Sequence, residues 1–386
     1  MNVVLITLDT LRREHMGCYG YEYNTTPYID AFSKRCLKAD NAYTTAPVTL
    51  SAHASMLTSL YPFQHGLRDN GYYYLDEATP TLTKLLKDKG YNTAAFVGSF
   101  VLDKMFGLNQ GFDVYDDVMN KGSEDMWVGH KVDKWERDAS VVTDKALEWY
   151  RNNKKDFFMW IHYFDCHTPY EPVKHYPDLE GSKTRAYDEG VKYVDEQVGR
   201  FLDSIESLDD TIVVILGGHG EAFGEHNEVG HGLHLYDTTV KIPFMVYNPK
   251  KKGDVIDCRV SVLDVAPTIL TSLGEKIPEC MYGADVYDVK IVGEDRDFHT
   301  ETYYRSRLVN GDYAQAIYSG DTQYIKYSLK GWCNSGGEEL VESGDTPFDQ
   351  WLEEFKKQHN KHIYKSRDSE VDKKIIEERL HSLGYL

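Results

Sequence analysis

Five short apolar runs constrain the fold of this 386-residue chain more than any other feature. They span residues 3–8, 93–97, 157–161, 211–216 and 242–247. Each run has the length of a strand buried on both faces, and helical patterns separate the runs. Strands of this kind, alternating with helices, are typical of a parallel sheet that is covered by helices on both sides. The sequence therefore predicts an α/β core.

Helix signals lie between these runs. The dipeptides Thr26-Pro27 and Thr79-Pro80 each place a capping residue before a proline, which predicts that a helix begins there. From Tyr187 to Ile205, apolar residues recur every three or four positions. This spacing predicts one long amphipathic helix.

The amino-acid composition changes after about residue 290, where tyrosine and glycine become frequent. We predict strands at 313–318 and 324–329, a loop at 336–344, and helices at 352–359 and 371–383. The chain is therefore divided into a large α/β domain, residues 1–290, and a smaller C-terminal subdomain, residues 291–386.

Charge and cysteine content exclude several classes of protein. The chain has 62 Asp and Glu against 43 Lys and Arg, a formal net charge of −19, which disfavours a general nucleic-acid binder. No apolar run approaches the roughly 18 residues of a membrane span. The six cysteines show no paired spacing and are typical of reduced thiols. With no signal peptide at the N-terminus, we expect a cytoplasmic protein, although a trimmed leader would leave the same sequence.

Carboxylates and imidazoles collect just after three of the predicted strands. They are Asp9 after the first run, His162, Asp165 and His167 after the third, and His219, Glu221, His226, His231 and His234 after the fourth. The carboxyl ends of parallel strands meet at one edge of a sheet. A single histidine is more often structural than functional, but chance placement explains this whole set less readily. Mixed Asp and His donors suit a divalent metal, and imidazole favours manganese or zinc over calcium or magnesium.

A candidate nucleophile lies in residues 46–58, where a loop containing Pro47 enters an alanine-rich helical turn. The hydroxyls of Thr49 and Ser51 stand at the predicted start of this helix. Free backbone N–H groups there can stabilise an alkoxide or a bound oxyanion. Either residue could equally be an ordinary helix cap, and the two interpretations are left open at this point.

Eight segments together resemble the sulfatase family of the alkaline phosphatase superfamily, in the same order along nearly the whole chain. They are residues 2–12, 18–21, 24–27, 61–66, 193–199, 219–221, 224–226 and 382–386. The resemblance implies a three-layer α/β sandwich with a mixed sheet. It also implies a smaller C-terminal subdomain built from a short antiparallel sheet and a helix.

The family's nucleophile motif departs from its usual form in this chain. Sulfatases form formylglycine from the Cys or Ser of a C/S-x-P-x-R motif, and the corresponding residues 49–53 read TLSAH. Thr49 carries a β-methyl group and cannot become formylglycine. Relatives with Thr at this position, such as nucleotide pyrophosphatase/phosphodiesterases, use it to attack phosphate esters. The resemblance therefore implies Thr49 as catalytic nucleophile, without formylglycine, and His53 in the place of the family's arginine.

The resemblance also implies Asp9, Thr49 and His219 as ligands of a divalent metal. A second aspartate expected before His219 is replaced by Gly218. Three explanations are open. Asp165 or Glu221 could supply the missing carboxylate, Gly218 could be an engineered change, or the protein could be an impaired pseudo-hydrolase that binds a ligand without turning it over.

Four further residues are expected to bind substrate, namely His65, Asp165, His167 and His231. Structural roles remain open for each: a turn for Asp165, and support of a loop for His65. The predicted function is a metal-dependent hydrolase, or transferase, that acts on small phosphate mono- or diesters through Thr49. A sulfate ester hydrolase without formylglycine is the alternative enzyme.

Overall fold

The structure is a computed structural model, and it describes most of the chain. The described residues are 1–119, 123–124, 131–132, 135–153, 155–171, 174–288, 296–305, 312–319, 322–328, 347–358, 367–368 and 379–381.

The strands and α-helices of the described residues are numbered in chain order. The strands are β1 Asn2–Leu8, β2 Leu37–Tyr43, β3 Tyr73–Tyr74, β4 Asn92–Val97, β5 Val114–Asp116, β6 Ser123–Glu124, β7 Lys131–Val132, β8 Phe157–Tyr163, β9 Thr211–Gly217, β10 Ala222–Phe223, β11 Val229–Gly230, β12 Lys241–Tyr247, β13 Asp254–Ile256, β14 Val260–Ser261, β15 Phe298–Thr302, β16 Ala314–Ser319, β17 Thr322–Tyr327 and β18 Arg367–Asp368. The helices are α1 Pro27–Ser33, α2 Thr49–Thr58, α3 Pro62–His65, α4 Leu82–Asp88, α5 Ala139–Asn152, α6 Arg185–Asp203, α7 Asp237–Val240, α8 Val265–Ser272 and α9 Pro347–Gln358.

The central sheet has the strand order β13-β2-β12-β9-β1-β8-β4-β5, with β14 also paired to β2. Strands β9, β1, β8, β4 and β5 run parallel, and Ile6 of β1 lies opposite Ile161 on one side and Ile215 on the other. Strand β12 is antiparallel to both β9 and β2. The apolar runs predicted these strands correctly. The pattern alone favoured a parallel sheet, and the mixed sheet that the resemblance implied is confirmed. A strand buried on both faces reads as the same apolar run in either direction.

Helices cover both faces of this sheet, which confirms the three-layer architecture. On one face, Leu5 and Trp160 pack in a hydrophobic cluster with Leu50 of α2 and Ile269 of α8. The cluster on the other face includes Ile6 and Ile161, with residues of α1, α5 and α6. All ten residues of α2 are buried. The start of α2 is therefore held firmly against the sheet edge where the candidate site lies.

Two local predictions need correction. Helix α4 begins at Leu82 and not at Pro80, because Thr81 is the capping residue, and its hydroxyl accepts a hydrogen bond from the N–H of Lys84 at 3.2 Å. Strand β2 was not predicted, since its sequence LKADNAY mixes polar and apolar residues and only part of it is buried. The long amphipathic helix is confirmed as α6, beginning two residues before Tyr187.

The C-terminal part contains an antiparallel sheet of β15, β16 and β17. Phe298 and Tyr318 of this sheet pack against Tyr43 and Leu235 of the large domain. The two predicted strands are present, while β15 was not predicted. Helix α9 begins at Pro347, five residues before the predicted start. The predicted boundary at residue 290, the 336–344 loop and most of the 371–383 helix lie outside the described residues.

No helix in the described part of the chain is both long enough and apolar enough to cross a membrane. Cys18, Cys36, Cys166 and Cys280 are free thiols.

Candidate active site

Asp9 lies directly after β1, at the carboxyl edge of the parallel strands, and its side chain is completely buried. The next residue, Thr10, has a left-handed backbone with φ of 49°. A β-branched residue rarely adopts this conformation, because its side chain crowds the backbone. The turn is held by Tyr187, whose hydroxyl donates to the carbonyl of Thr10 at 2.8 Å. The strained turn thus fixes the direction in which the chain leaves Asp9.

Thr49 is the first residue of α2, and its side chain meets Asp9. Its Oγ1 lies 3.2 and 3.4 Å from the two carboxylate oxygens of Asp9, and 3.1 Å from Nε2 of His219. All three side chains are completely buried. Residues from three separate parts of the chain, numbered 9, 49 and 219, therefore meet at one point at the sheet edge.

The orientation of His219 is set by its other ring nitrogen. Nδ1 lies 3.0 Å from the carbonyl oxygen of Gly220, which can only accept a hydrogen bond. Nδ1 therefore carries the proton, and Nε2 presents a lone pair towards Thr49. The strand end at Gly217 and the short turn after it place this lone pair beside the Thr49 hydroxyl.

Three further histidines show the same arrangement. Nδ1 of His53 lies 2.7 Å from the carbonyl oxygen of Thr49, and Nδ1 of His167 lies 2.6 Å from that of Thr168. Nδ1 of His231 lies 3.1 Å from a carboxylate oxygen of Glu221. For His53 and His167 the carbonyl acceptor fixes the proton on Nδ1 and leaves a lone pair on Nε2. Burial raises the pKa of Glu221 to about 8, so the proton between Glu221 and His231 can lie on either partner. Histidines that bind metals are commonly held in this way through the second nitrogen.

The rings also lie close to one another. The ring centroids of His219 and His231 are 4.2 Å apart, and those of His231 and His167 are 5.2 Å apart. His167 stacks on Phe164 with a centroid distance of 4.3 Å. His167 and His231, both predicted to bind substrate, therefore lie beside the group formed by Asp9, Thr49 and His219.

Burial keeps these imidazoles neutral. It lowers the pKa of His53 to about 4 and that of His231 to about 3, and it places the pKa of His162, His167 and His219 well below the usual value. The opposite shift affects the acids. Burial raises the pKa of Asp9 well above its usual value, an effect that the hydrogen bond from Thr49 opposes and the charge of Glu221 reinforces.

The pocket around Asp9 thus has an acid without a cationic partner. In the described part of the chain no lysine or arginine forms an ion pair with Asp9, and its nearest titratable neighbours are His219 at 3.6 Å and His162 at 4.0 Å. Both imidazoles are neutral, so they do not compensate the carboxylate charge. A buried carboxylate needs such compensation to remain ionised.

The donors around Asp9 suit a divalent cation. A carboxylate, a hydroxyl and an imidazole lone pair lie 3.1 to 3.6 Å from one another, close to the roughly 3.3 Å that separates two ligands of one tetrahedral zinc. However, no group of three or more His, Cys, Asp and Glu side chains in the described residues already forms a metal site. The carboxylate expected at position 218 is absent from this donor set.

Two predicted site residues have other partners. Nε2 of His65 lies 3.0 Å from Oγ of Ser55, and its Nδ1 accepts from the N–H of Leu67 at 3.1 Å, so both ring nitrogens support α2 and the loop after α3. Oδ1 of Asp165 accepts from the N–H of Ala139 at 3.1 Å, at the first residue of α5. These contacts favour the structural interpretation of His65 and Asp165.

Sequence reasoning assigned no role to His162. It is the penultimate residue of β8, completely buried, with Nε2 4.0 Å from Oδ1 of Asp9. Its ring lies 4.9 Å from that of His53. The only signal in the sequence was its place at the end of a buried strand. Thr7 has the same place in β1, yet its hydroxyl accepts a hydrogen bond from Nε1 of Trp160.

Known proteins resemble this chain both in sequence and in structure. A model of the Sulfatase family matches residues 1–275. YidJ of Escherichia coli (strain K12), described as an uncharacterised sulfatase, is 23% identical, over 75% of this chain and 71% of its own. An arylsulfatase of Clostridium perfringens is also 23% identical, over 75% of this chain and 78% of its own. The solved phosphonate monoester hydrolase SpPMH of Silicibacter pomeroyi has a TM-score of 0.65 at 17% identity, covering 85% of this chain and 87% of its own.

Proposed function

Because the chain belongs to the sulfatase family, we propose that it hydrolyses small phosphate mono- or diesters with Thr49 as its nucleophile. The observation that carries this proposal is the position of Thr49 Oγ1, which lies within 3.4 Å of both carboxylate oxygens of Asp9 and 3.1 Å from Nε2 of His219. A hydroxyl that served only as a helix cap would turn back to an N–H group of its own helix. The N-cap residue of α2 is Val48, and Thr49 is the first helical residue.

Helix α2 contributes to the chemistry through its N-terminus. Thr49 is the first of ten helical residues, so the positive end of the helix dipole lies beside its hydroxyl. The dipole stabilises negative charge on the attacking oxygen and on the nonbridging oxygens of an ester. The N–H of Leu50 donates to Oδ1 of Asn70 at 2.9 Å, which anchors this end of the helix.

In the proposed reaction, Oγ1 of Thr49 forms a bond to phosphorus while the bond to the leaving oxygen breaks. The hydroxyl proton leaves towards a carboxylate oxygen of Asp9, or towards Nε2 of His219 where no cation holds that lone pair. Water then cleaves the phosphothreonine and releases phosphate or a phosphate monoester. Asp9, Thr49 and His219 would hold a divalent cation, which when bound would lower the pKa of the hydroxyl and neutralise charge on the ester.

His167 and His231 are the proposed contacts to the transferred group. Both rings are fixed at Nδ1, so their Nε2 atoms keep one direction relative to Thr49. Fixed polar atoms of this kind orient a substrate without the cost of ordering them on binding.

The direct test measures turnover of bis-p-nitrophenyl phosphate with manganese or zinc present. Thr49→Ala should abolish turnover, and Thr49→Ser, which keeps the hydroxyl, should retain part of it. Thr58→Ala is a matched control on the same helix, because the Thr58 hydroxyl donates to the carbonyl of Ala54 at the far end. If Thr49→Ala kept the turnover of the unchanged protein, the proposal would be wrong.

A sulfate ester is the second candidate substrate, favoured by the two sulfatases among the relatives named above. The same Thr49 attack on sulfur would leave a sulfothreonine. Measuring p-nitrophenyl sulfate and p-nitrophenyl phosphate with one preparation separates the two candidates. A higher kcat/KM for the phosphate supports the first candidate, and a higher value for the sulfate supports the second.

A further inference from the structure

We infer that this chain builds an imidazole-rich cation site that selects a zinc- or cobalt-like ion, and that His53 and His162 are two of its ligands. The inference deepens the proposed function and rests on it, because the site is the one that contains Thr49. In this inference, the two imidazoles replace the carboxylate that is missing at position 218.

Unpartnered nitrogens are the first support. Nε2 of His53 and both ring nitrogens of His162 are buried without a hydrogen-bond partner. Leaving a polar atom buried and unpaired costs about 1–3 kcal/mol. Three such atoms on two adjacent rings would together be expensive. A cation that accepts one lone pair from each ring removes this cost at two of the three atoms, Nε2 of His53 and one nitrogen of His162.

The space beside Gly218 is the second support. A β-carbon added at Gly218 would lie 3.0 Å from Cε1 of His53 and 3.6 Å from Oδ1 of Asp9. The edge of the His53 ring, between its two nitrogens, therefore lies where an aspartate side chain at 218 would begin. His53 occupies this volume because residue 218 lacks a side chain. The absence of a carboxylate at position 218 therefore makes room for the His53 imidazole.

His162 approaches from the opposite strand. Its Nε2 is 4.0 Å from Oδ1 of Asp9, compared with about 3.3 Å expected for two ligands of one tetrahedral ion. A shift of about 1 Å by rotation of the side chain closes this difference. Without this shift, the described residues contain no complete metal site.

The two carboxylates that could otherwise replace the lost aspartate each hold another group with one oxygen, while Oδ2 of Asp165 and Oε2 of Glu221 are buried without a hydrogen-bond partner. Asp165 accepts from the N–H of Ala139 at the start of α5. Glu221 holds Nδ1 of His231 at 3.1 Å. Moving either would leave a helix start or an imidazole without its partner, so the nearby imidazoles are the better replacement.

The donor set determines which ion is preferred. Asp9 would be the single carboxylate among three imidazoles from His53, His162 and His219. Calcium and magnesium prefer oxygen ligands and bind such a set weakly, whereas zinc and cobalt accept imidazole readily. The site should therefore discriminate against calcium and magnesium.

X-ray absorption on the zinc-loaded, otherwise unchanged full chain tests this inference without any variant. We expect one tightly held zinc whose spectrum contains three imidazole ligands. A zinc with a single imidazole, or a chain that binds no zinc after treatment with EDTA and dialysis against zinc, would overturn the inference.

Variants test the two residues separately. His53→Gln and His162→Gln should each weaken zinc binding at least about tenfold, measured by competition with a chelator. His175→Gln is the matched control, because His175 is 76% exposed and pairs with Glu189 far from the site. Circular dichroism and thermal melting verify that each variant folds. A folded His162→Gln protein with unchanged zinc affinity would overturn the role of His162.

Gly218→Asp provides the reverse test. The new side chain must displace the His53 ring, so we expect weaker preference for zinc over magnesium than in the unchanged chain. These metal measurements are independent of turnover. If zinc has three imidazole ligands but Thr49→Ala leaves turnover unchanged, this inference stands and the proposed function is refuted. If Thr49→Ala abolishes turnover but zinc lacks the three imidazole ligands, the proposed function stands and this inference is refuted.

Discussion

Nε2 of His219 lies 3.1 Å from Oγ1 of Thr49, while Nδ1 of the same ring lies 3.0 Å from the carbonyl oxygen of Gly220. The carbonyl fixes the tautomer, so the lone pair that faces Thr49 is permanent and does not depend on a rotation of the ring. The chain thus presents the Thr49 hydroxyl to an acceptor of fixed direction.

Replacing His219 should remove this acceptor. We predict that His219→Ala lowers kcat/KM by about 10²–10⁴, the range typical of a lost proton acceptor or metal ligand next to a nucleophile. The comparison is with His234→Ala, whose ring contacts the Tyr327 hydroxyl at 2.9 Å and not Thr49. Equal activities in the two variants would contradict the role of His219.

Glu221 is expected to position His231. Both side chains are buried, and the carboxylate holds Nδ1 at 3.1 Å. Glu221→Leu removes this hold, and we predict a loss of about 10–100-fold in kcat/KM with a changed KM. Glu221→Gln keeps an acceptor oxygen and should recover most of the activity. If the Leu and Gln variants lost activity equally, the carboxylate would not act by orienting the ring.

Thr10 should store backbone strain. With φ of 49° and a buried Oγ1 that lacks a hydrogen-bond partner, it is unfavourable on two counts. We predict that Thr10→Gly raises the free energy of unfolding by up to about 1 kcal/mol, since glycine adopts this conformation freely. Thr10→Val keeps the β-branch and should gain less. Urea denaturation of both variants provides the measurement, and a Thr10→Gly protein less stable than Thr10→Val would refute the prediction.

The pH dependence of stability should reflect Glu189, which lies far from the candidate site. Burial acts to raise the pKa of Glu189, but hydrogen bonds from His175 at 2.8 Å, Arg185 at 2.9 Å and the N–H of Tyr176 at 3.1 Å outweigh it and lower the pKa. A lowered pKa in the folded state means that the stabilisation is present above the ordinary value of 4.5 and is lost as the pH falls through the folded-state value.

Glu189→Gln should therefore cost about 1–3 kcal/mol of unfolding free energy at pH 7 and progressively less as the pH falls below 4.5. The exposed Glu206 provides the control substitution, Glu206→Gln. Denaturation at several pH values checks the result. If the loss of unfolding free energy caused by Glu189→Gln became larger at lower pH, the prediction would be wrong.

The sequence predicted the core strands well because buried strands leave continuous apolar runs. It could not predict the direction of β12, since Ile242 and Phe244 are buried whichever way the strand runs. It also did not predict β2 or β15, because polar residues interrupt the apolar pattern in both strands.

For the candidate site, the pattern of strand ends placed Asp9 and His219 at one edge, and the structure brings both to Thr49. The sequence could not separate His65 from His53. Both follow Thr49 closely, yet one ring turns back to Ser55 while the other lies beside Gly218. That difference depends on ring orientation within a packed interior, which spacing alone does not encode.

The most direct test of the central claim is to trap the covalent intermediate. The protein is mixed with an aryl phosphate and zinc or manganese, quenched in acid within one turnover, digested, and analysed by mass spectrometry. The account predicts a peptide that contains residues 46–58 and carries one added phosphoryl group, with fragmentation placing it on Thr49. Turnover of the ester without any modification of Thr49, or with the added group on another side chain, would contradict the account.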